Sequence, residues 1–359
     1  MPRDLRHEEL EDIIYGAAFL GAGGGGSPVQ GLSIVSQIKE EGKKVVLVSP
    51  DEVEDNALVV VSAGMGSPAA AKYGWRNEHI PAFKLLRDYL EKVHGEEVKY
   101  VVPLEIGAGN FAVPLHTAAS SDIPLIDGDG AGRAIPELQL VSFDIYGIPI
   151  SPMAITNWEG NGGILFVKDA EWAEKICRQI VVAFQGNAGI ALYPMRGSDL
   201  KRSVIPNTVT LSQKVGSILR RVREENDDVA GLLSKELDAY ILGVGKVKEK
   251  TLETRSGFDF GKVVVETKEG DLEVYFKNEN IIAKLNEKIL AMAPDLICWT
   301  TTNGRPLTNV DVEKGLEVVV VGLRAHERLR TEKALKAFEH LYKEVGFDVK
   351  YKPIEELME

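Results

Sequence analysis

The sequence lacks the features that mark membrane and secreted proteins. No run of about 18 apolar residues occurs along its 359 residues, which argues against a membrane span. The first residues, MPRDLRHEELEDIIYG, have no apolar core of the kind found in signal peptides. Cys177 and Cys298 are its two cysteines, far apart and without a partner motif, as is typical of a reducing compartment. We therefore expect a cytoplasmic protein that is neither inserted in a membrane nor bound to one.

The sequence also contains few histidines and fewer basic than acidic residues. The six histidines form neither HxxxH nor HxH, so no standard zinc motif is present. Lysine and arginine number 42 against 54 aspartates and glutamates, and the net charge of −12 argues against nucleic acid as a partner. Hydrophobic residues make up 44% of the chain, which is typical of a globular protein.

The first 165 residues alternate helical and strand-like patterns. An opening helix is expected to end before Gly21, and a second helix to start with Ser27 as N-cap and Pro28 at its first position. Short apolar runs predict buried strands at residues 45–48, 58–62, 100–103 and 123–126. This alternation predicts an α/β domain around a largely parallel sheet.

The pattern changes in the second half, which we assign to a second domain of residues 166–359. Helices are expected at 170–184 and 208–225, and small residues on one face of the latter favour close packing on another helix. Residues 239–325 are mostly strand-like with Gly, Asn and Asp turns, which predicts a small barrel or sandwich. A charged helix at 327–344 and a short strand at 348–352 are expected to end the chain.

Two glycine-rich loops are candidate ligand sites. In GAGGGGSP, the amides of Gly23, Gly24, Gly25 and Gly26 precede a helix start and could approach an anionic or imide oxygen. The alternative is a flexible connection between helices. The loop is no dinucleotide fingerprint and no P-loop, because no strand precedes it and no lysine follows, so no nucleotide cofactor is expected. In SAGMGSP, Gly64 and Gly66 follow a strand, where a binding loop and an ordinary turn are equally favoured.

A third loop, PLEIGAGN, carries an acid at the end of a strand. Glu105 lies between two apolar residues, and a buried carboxylate must be paired, metal-bound or protonated. We interpret it as a proton shuttle. Asn110 is a candidate for substrate binding, with a helix N-cap as the alternative.

The most informative stretch is IPLIDGDGAGRAIPEL, residues 123–138. Asp127 and Asp129 are separated by one glycine, a pattern that suits either catalysis or an Asp-Gly turn with side-chain to backbone hydrogen bonds. Arg133 and Glu137 could contact a ligand or form an ion pair on a helix. We interpret the stretch as the centre of an active site, with Asp127, Asp129, Glu105 and Arg133 as the catalytic candidates.

The same acids could hold a metal. Asp127 and Asp129 could coordinate one divalent ion, and His116 is the candidate third ligand, with a structural histidine as its alternative. Magnesium or manganese would suit an acid-rich site, and zinc would suit a sulfur leaving group. Direct activation of water by a carboxylate remains the other possibility.

Three motifs together carry a family resemblance. The runs FLGAGGGGSP, PLEIGAGNFAVPLHTAA and IPLIDGDGAGRAIPELQ resemble the S-methyl-thiohydantoin desulfurase family, whose members are associated with hydantoinase- and oxoprolinase-type proteins. The resemblance implies an N-terminal three-layer α/β domain and a C-terminal domain that contains a β-barrel. The family pattern has larger or more polar residues at Ala108 and Phe111, so the substrate preference is open.

The resemblance also implies chemistry on a small cyclic imide or thioimide. Water would add to the ring carbon that bears sulfur, and the sulfur group would leave to give the hydantoin. We expect a homo-oligomer and a hydantoinase-like partner protein. The alternative is a non-catalytic subunit or ligand-binding partner of a hydantoinase- or oxoprolinase-type enzyme, and hydantoin ring opening is a third possibility.

Overall fold

The computed structural model describes residues 2–66, 75–255 and 257–359. The described helices are α1 (His7–Leu20), α2 (Pro28–Glu40), α3 (His79–His94), α4 (Ala108–Ser121), α5 (Ser142–Ile145), α6 (Ala170–Ala183), α7 (Gly197–Ser203), α8 (Thr208–Glu225), α9 (Val229–Leu237), α10 (Glu332–Glu344) and α11 (Ile354–Leu357). The described strands are β1 (Arg3–Asp4), β2 (Val46–Val48), β3 (Leu58–Gly66), β4 (Val98–Pro103), β5 (Leu125–Ile126), β6 (Gly128–Asp129), β7 (Met153–Thr156), β8 (Gly162–Leu165), β9 (Asn187–Arg196), β10 (Ile205–Pro206), β11 (Tyr240–Arg255), β12 (Phe258–Thr267), β13 (Gly270–Lys277), β14 (Glu279–Leu285), β15 (Lys288–Met292), β16 (Leu296–Thr301), β17 (Pro306–Leu307) and β18 (Glu317–Leu323).

The first two helices begin and end where the sequence predicts. Helix α1 ends before Gly21, whose backbone N–H still donates to the carbonyl of Ala17. The Ser27 hydroxyl accepts a hydrogen bond from the N–H of Val29, and Pro28 occupies the first position of α2. These caps confirm both predicted helices and leave a short glycine-rich loop between them.

The N-terminal sheet is mixed. Its order is β1-β2-β5-β4-β3-β9-β7-β8, and the pairs β2–β5, β5–β4 and β4–β3 are parallel, whereas the remaining pairs are antiparallel. The α/β class is confirmed, but the expectation of a largely parallel sheet is wrong. The reason is that β7 and β8 form a hairpin and β9 returns antiparallel beside β3. Strand β9 lies beyond residue 165, and the division of the chain at that residue stays a prediction.

Both faces of this sheet are buried. Along β3, Val60 contributes to one hydrophobic core with α1, α2 and α4, whereas Val59 and Val61 contribute to another core with α6 and α10. Alternate residues of a strand point to opposite faces of the sheet. Because both faces are covered here, successive residues of β3 must all be apolar, which explains its continuous apolar run.

Helices α1 and α8 pack closely through glycine. A Cβ atom at Gly216 of α8 would lie 1.8 Å from the carbonyl oxygen of Asp12, and one at Gly16 of α1 would lie 1.8 Å from that of Ser212. Arg220 then pairs with Asp12 across the contact, with Nε to Oδ1 at 2.9 Å. This contact confirms the packing predicted for the small residues of α8 and fixes that helix beside α1.

The C-terminal sheet is antiparallel, with the order β15-β14-β13-β12-β11-β18-β16-β17. Over the described ranges, hydrogen-bonded pairing ends at β15 and β17 and does not close the sheet, so the predicted barrel is not confirmed. The charged helix is present as α10, with a short 3-10 turn at Glu327–Leu329 before it. The strand expected at 348–352 is wrong, because those residues pair with no strand and lead into α11.

The helices of the described residues include none with the length and apolarity needed to cross a membrane.

The α1–α8 contact gives a test of the fold. We expect Gly216→Ala to lower the free energy of unfolding by about 1–3 kcal/mol, because the new methyl group would force the two helices apart. Denaturation in urea measures the change. Ser217→Ala, at the next position of the same helix, is the control and should change stability far less. Equal stability of Gly216→Ala and the unmodified protein would contradict the packing argument.

Candidate functional site

Two glycine-rich loops touch at the carboxyl end of β4. The carbonyl oxygen of Gly25 accepts hydrogen bonds from the backbone N–H groups of Gly109 at 3.0 Å and Asn110 at 3.1 Å. Gly25 has a φ of +77°, and a Cβ atom there would lie 2.4 Å from the Cα of Gly107. Gly26 approaches Gly109 in the same way, with a Cβ-to-Cα distance of 2.9 Å. The glycines therefore let the loop after α1 join the loop that starts α4.

The C-terminal sheet closes on the other side of the Gly21–Gly26 loop. The N–H of Asn309 donates to the carbonyl of Gly23 at 2.7 Å, and the N–H of Asn280 donates to that of Ala22 at 2.8 Å. The side chain of Glu279 lies directly on Gly24, where a Cβ atom would be 2.0 Å from Oε1. The loop thus contacts both halves of the chain.

Glu105 is buried beside this loop and is held by two donors. Its Oε1 accepts from the side-chain amide of Asn110 at 2.6 Å, and its Oε2 accepts from the N–H of Ile135 at 2.7 Å. Asn110 also accepts from the N–H of Gly64 at 2.7 Å, so it connects β3 with Glu105 and is not an N-cap. Burial raises the pKa of Glu105 to about 7, against the lowering effect of both hydrogen bonds.

Glu279 is a second buried carboxyl group at the same place, and sequence reasoning missed it. In the described part of the chain its Oε2 has no hydrogen-bond partner. Burial, together with the charge of Glu105, raises its pKa well above the ordinary value. Both oxygens of Glu105 accept N–H donors, which favours its ionised form, so Glu279 is the member of the pair that favours the protonated form.

Arg133 bridges the two halves from inside. Its guanidinium donates to the backbone carbonyls of Ala134 at 3.0 Å, Asn280 at 2.7 Å and Asp295 at 3.1 Å. It is fully buried, and its positive charge lies close enough to act on the Glu279 carboxyl group. The structure therefore places Arg133 as a support of the site that anchors β14 and fixes a positive charge near Glu279.

Asp127 and Asp129 face different partners. Asp127 accepts from the N–H of Thr210 at 3.0 Å and from its hydroxyl, so it lies at the start of α8. Asp129 accepts from the N–H groups of Ala131 and Gly132, each at 2.9 Å, in the turn that the sequence offered as an alternative. Burial raises the pKa of Asp129 to about 7, against those two hydrogen bonds.

Comparison with known proteins agrees with the motifs. The model of the S-Me-THD-like N-terminal domain matches residues 8–166, and that of the S-Me-THD-like C-terminal domain matches residues 168–354. The chain belongs to the S-Me-THD-like family. This confirms the resemblance seen in the motifs and connects the chain with a thiohydantoin-related function.

The fold of this S-Me-THD-like protein is also seen in a crystal structure. A structural-genomics structure of a protein from Chromobacterium violaceum is 27% identical, with a TM-score of 0.84, and the match covers 98% of this chain and 100% of that one. No curated protein matches the chain.

The predicted metal ligands do not come together in the S-Me-THD-like protein. His116 lies on α4 and hydrogen-bonds to His79, with His116 Nδ1 to His79 Nε2 at 3.0 Å, whereas Asp127 and Asp129 lie at β6. Within the described ranges, the group whose ligand atoms lie within 4.8 Å of one another is Glu137, His340 and Glu344. The residues predicted to hold a metal are therefore separated, and the metal stays a prediction.

Glu137 already has a cation beside it. The ammonium group of Lys277 donates to Glu137 and, at 2.6 Å, to Glu344, and His340 Nε2 lies 3.2 Å from Glu137. Burial acts to raise the pKa of Glu137, but the hydrogen bonds from His340 and Lys277 hold it at about 2. Glu137 pairs with Lys277 instead of the expected Arg133, and this group fits a divalent ion poorly because Lys277 occupies it.

Gly64 and Gly66, which were predicted to follow a strand, belong to β3 itself, and residues 67 and 68 of the predicted loop lie outside the described residues. The carbonyl of Gly66 accepts from Arg178 at 3.5 Å, and Arg178 is a second residue that sequence reasoning missed. Arg178 of α6 donates to the carbonyl of Pro136 at 3.2 Å, and its charge acts on both Glu105 and Glu279. Arg178 lies in an amphipathic helix with several other charged residues, so nothing in the sequence distinguishes it from an ordinary surface charge. Glu279 lies in a stretch whose pattern predicts only a strand. The one available signal was an acid at the start of the apolar run ENIIAKL.

The raised pKa of Asp129 gives a testable pH dependence. Between pH 4 and 7 the folded protein keeps a proton that the unfolded chain has lost, so the free energy of unfolding falls as pH rises. We expect Asp129→Asn to flatten this fall by up to about 4 kcal/mol, which is the shift from 3.8 to about 7 converted to energy. Urea denaturation at a series of pH values measures it, and Asp51→Asn, which removes an exposed charge, is the control. A fall of the same size in Asp129→Asn would contradict the assignment.

Proposed function

We propose that the protein is a hydrolase that removes the sulfur substituent of an S-methyl-thiohydantoin or related cyclic thioimide. The observation that carries the proposal is the buried pair of Glu105 and Glu279 on the Gly21–Gly26 loop. One member is held as the carboxylate and the other as the acid, and hydrolysis of a carbon–sulfur bond needs both forms. Membership of the S-Me-THD-like family supplies the class of ring.

The proposed reaction assigns each proton. Water adds to the ring carbon that bears the sulfur, and Glu105 takes one proton from it. The carbon–sulfur bond then breaks, and Glu279 gives its proton to the departing thiolate. The ring is left with a hydroxyl group that tautomerises to the hydantoin carbonyl, and return of one proton from Glu105 to Glu279 resets the site. A divalent ion, if one binds, would supply further activation of the water.

The neighbouring groups support these roles. Asn110 holds Glu105 against β3, and Arg133 and Arg178 place positive charge near both carboxyl groups. Positive charge near the ring would stabilise the negative charge that develops as water adds. Asp127 and Asp129 act in this proposal through the turn and helix that they hold, next to Arg133.

The role of Glu279 can be tested by removing its proton. We expect Glu279→Gln to lower kcat by about 100-fold or more, because the amide fills the same space but cannot protonate the thiolate. Thiol release from S-methyl-thiohydantoin measures the loss, with and without divalent ions. The unfolding temperature should stay near that of the unmodified protein, since the amide resembles the neutral acid.

Two controls make this test specific. Asp144 is a half-buried carboxyl group whose pKa is also raised by burial, to about 6, but it faces Lys333 and Asp169, so Asp144→Asn should keep its activity. A substrate with an S-aryl leaving group, whose thiolate needs no proton, should be much less sensitive to Glu279→Gln. An equal loss with both substrates would contradict the acid role, and an absence of thiol release by the unmodified protein would contradict the function.

The close approach of Glu279 to Gly24 gives a second test. The three atoms nearest to a methyl group at Gly24 would all belong to the Glu279 side chain, so Gly24→Ala should displace that side chain. We expect a fall in kcat of about 10-fold or more, as a small displacement of an acid suffices for such a loss. Gly163→Ala, at a glycine with open space around it, is the control. Unchanged activity of Gly24→Ala would contradict the placement of Glu279.

A further inference from the structure

Four side chains form a line of contacts from the end of α2 to the candidate site. The indole N–H of Trp75 donates to His79 Nδ1 at 3.2 Å, and His79 Nε2 lies 3.0 Å from His116 Nδ1. His116 Nε2 lies 3.6 Å from a carboxylate oxygen of Glu41. His79 and His116 are buried, whereas Glu41 is partly exposed. We call this set of Trp75, His79, His116 and Glu41 the histidine line.

The histidine line has a fixed direction. The indole can only donate, so His79 Nδ1 must accept and the proton of His79 must lie on Nε2. That proton is donated to His116 Nδ1, which places the proton of His116 on Nε2, towards Glu41. Each ring is therefore neutral with one defined tautomer. Burial lowers the pKa of both histidines, and the neighbouring histidine lowers that of His79 further, which agrees with this arrangement.

The inner end of the line lies at the site. The Trp75 ring covers Gly64, where a Cβ atom would be 2.4 Å from the ring. The N–H of Gly64 donates to Asn110, which donates to Glu105. The planes of the His79 and Trp75 rings lie 17° apart with centroids 5.7 Å apart, so the hydrogen bond joins the two rings edge to edge and holds them nearly coplanar. Trp75 is thus oriented by this hydrogen bond, three contacts away from the proposed base.

An apolar pair would fill this space without the cost of burying polar groups. Two buried imidazoles that are joined by hydrogen bonds fix the orientation of the side chain next to them, because only one arrangement of the rings satisfies all of their donors and acceptors. The side chain so oriented is a partly exposed aromatic ring next to a glycine. A planar heterocycle is the kind of ligand that stacks on such a ring.

We propose that His79 and His116 are positioning residues that fix the Trp75 ring over Gly64 as the wall on which the planar substrate ring stacks. This inference rests on the proposed function for the identity of the ring. It gives His116 a role different from the metal ligand that the sequence suggested.

The test compares two replacements of His116. Leucine removes both hydrogen bonds, whereas glutamine can still accept from His79 and donate towards Glu41. We expect His116→Leu to raise KM for S-methyl-thiohydantoin and the Kd for hydantoin by about 3- to 10-fold, the value of one aromatic stack, with kcat changed less than about 3-fold. His116→Gln should restore both constants. His94→Gln, at an exposed histidine on the same helix as His79, is the control.

A spectroscopic readout follows the ring itself. In a background of Trp158→Phe and Trp172→Phe, the remaining tryptophans are Trp75 and Trp299. Trp299 is fully buried, so quenching of the fluorescence by acrylamide reports on Trp75. His116→Leu should increase quenching, and His116→Gln should not. Unchanged quenching and unchanged hydantoin binding in His116→Leu, or a failure of glutamine to restore them, would overturn the inference. A protein that binds hydantoin through Trp75 but releases no thiol would overturn the proposed function alone, and one that binds no ring compound would overturn both.

Discussion

The contact of the Gly21–Gly26 loop with both halves of the chain is the constraint on which the candidate site depends. The carbonyls of Ala22 and Gly23 accept from the C-terminal half, and that of Gly25 accepts from the start of α4. A side chain larger than hydrogen at Gly25 would meet Gly107, and one at Gly24 would meet Glu279. Glycine is needed here so that three segments, distant in sequence, can approach to van der Waals distance. The buried carboxyl pair exists only because this approach is possible.

The charges around this contact are fixed by the backbone. Arg133 donates to carbonyls of both halves, and Asp129 and Asp127 accept from N–H groups of a turn and of α8. Such groups cannot move to follow a ligand without loss of several hydrogen bonds. They therefore set a constant field in which the more weakly held Glu279 can change its protonation state.

Much of the local structure could be predicted because its causes are local. Ser27 and Pro28 define a helix start, and Glu105 is marked as buried by its apolar neighbours. The pairing of strands could not be predicted in the same way, since the antiparallel return of β9 beside β3 depends on contacts far apart in sequence. The same limit explains the site. Glu105, Asn110, Gly24 and Gly64 can be picked out from their own segments, but Glu279 reaches them from another sheet, and Thr210, the partner of Asp127, lies 83 residues away in the sequence.

The fixed direction of the hydrogen bonds in the histidine line limits where the line can take up a proton. An added proton on either imidazole would put two N–H groups face to face, at the indole or between the rings. Glu41, with Lys43 beside it, is the link that can exchange a proton with solvent and leave the inner links as they are. When the pH at the surface falls, the proton is therefore taken up by Glu41 at the outer end of the line, and the Trp75 ring at the inner end keeps its orientation.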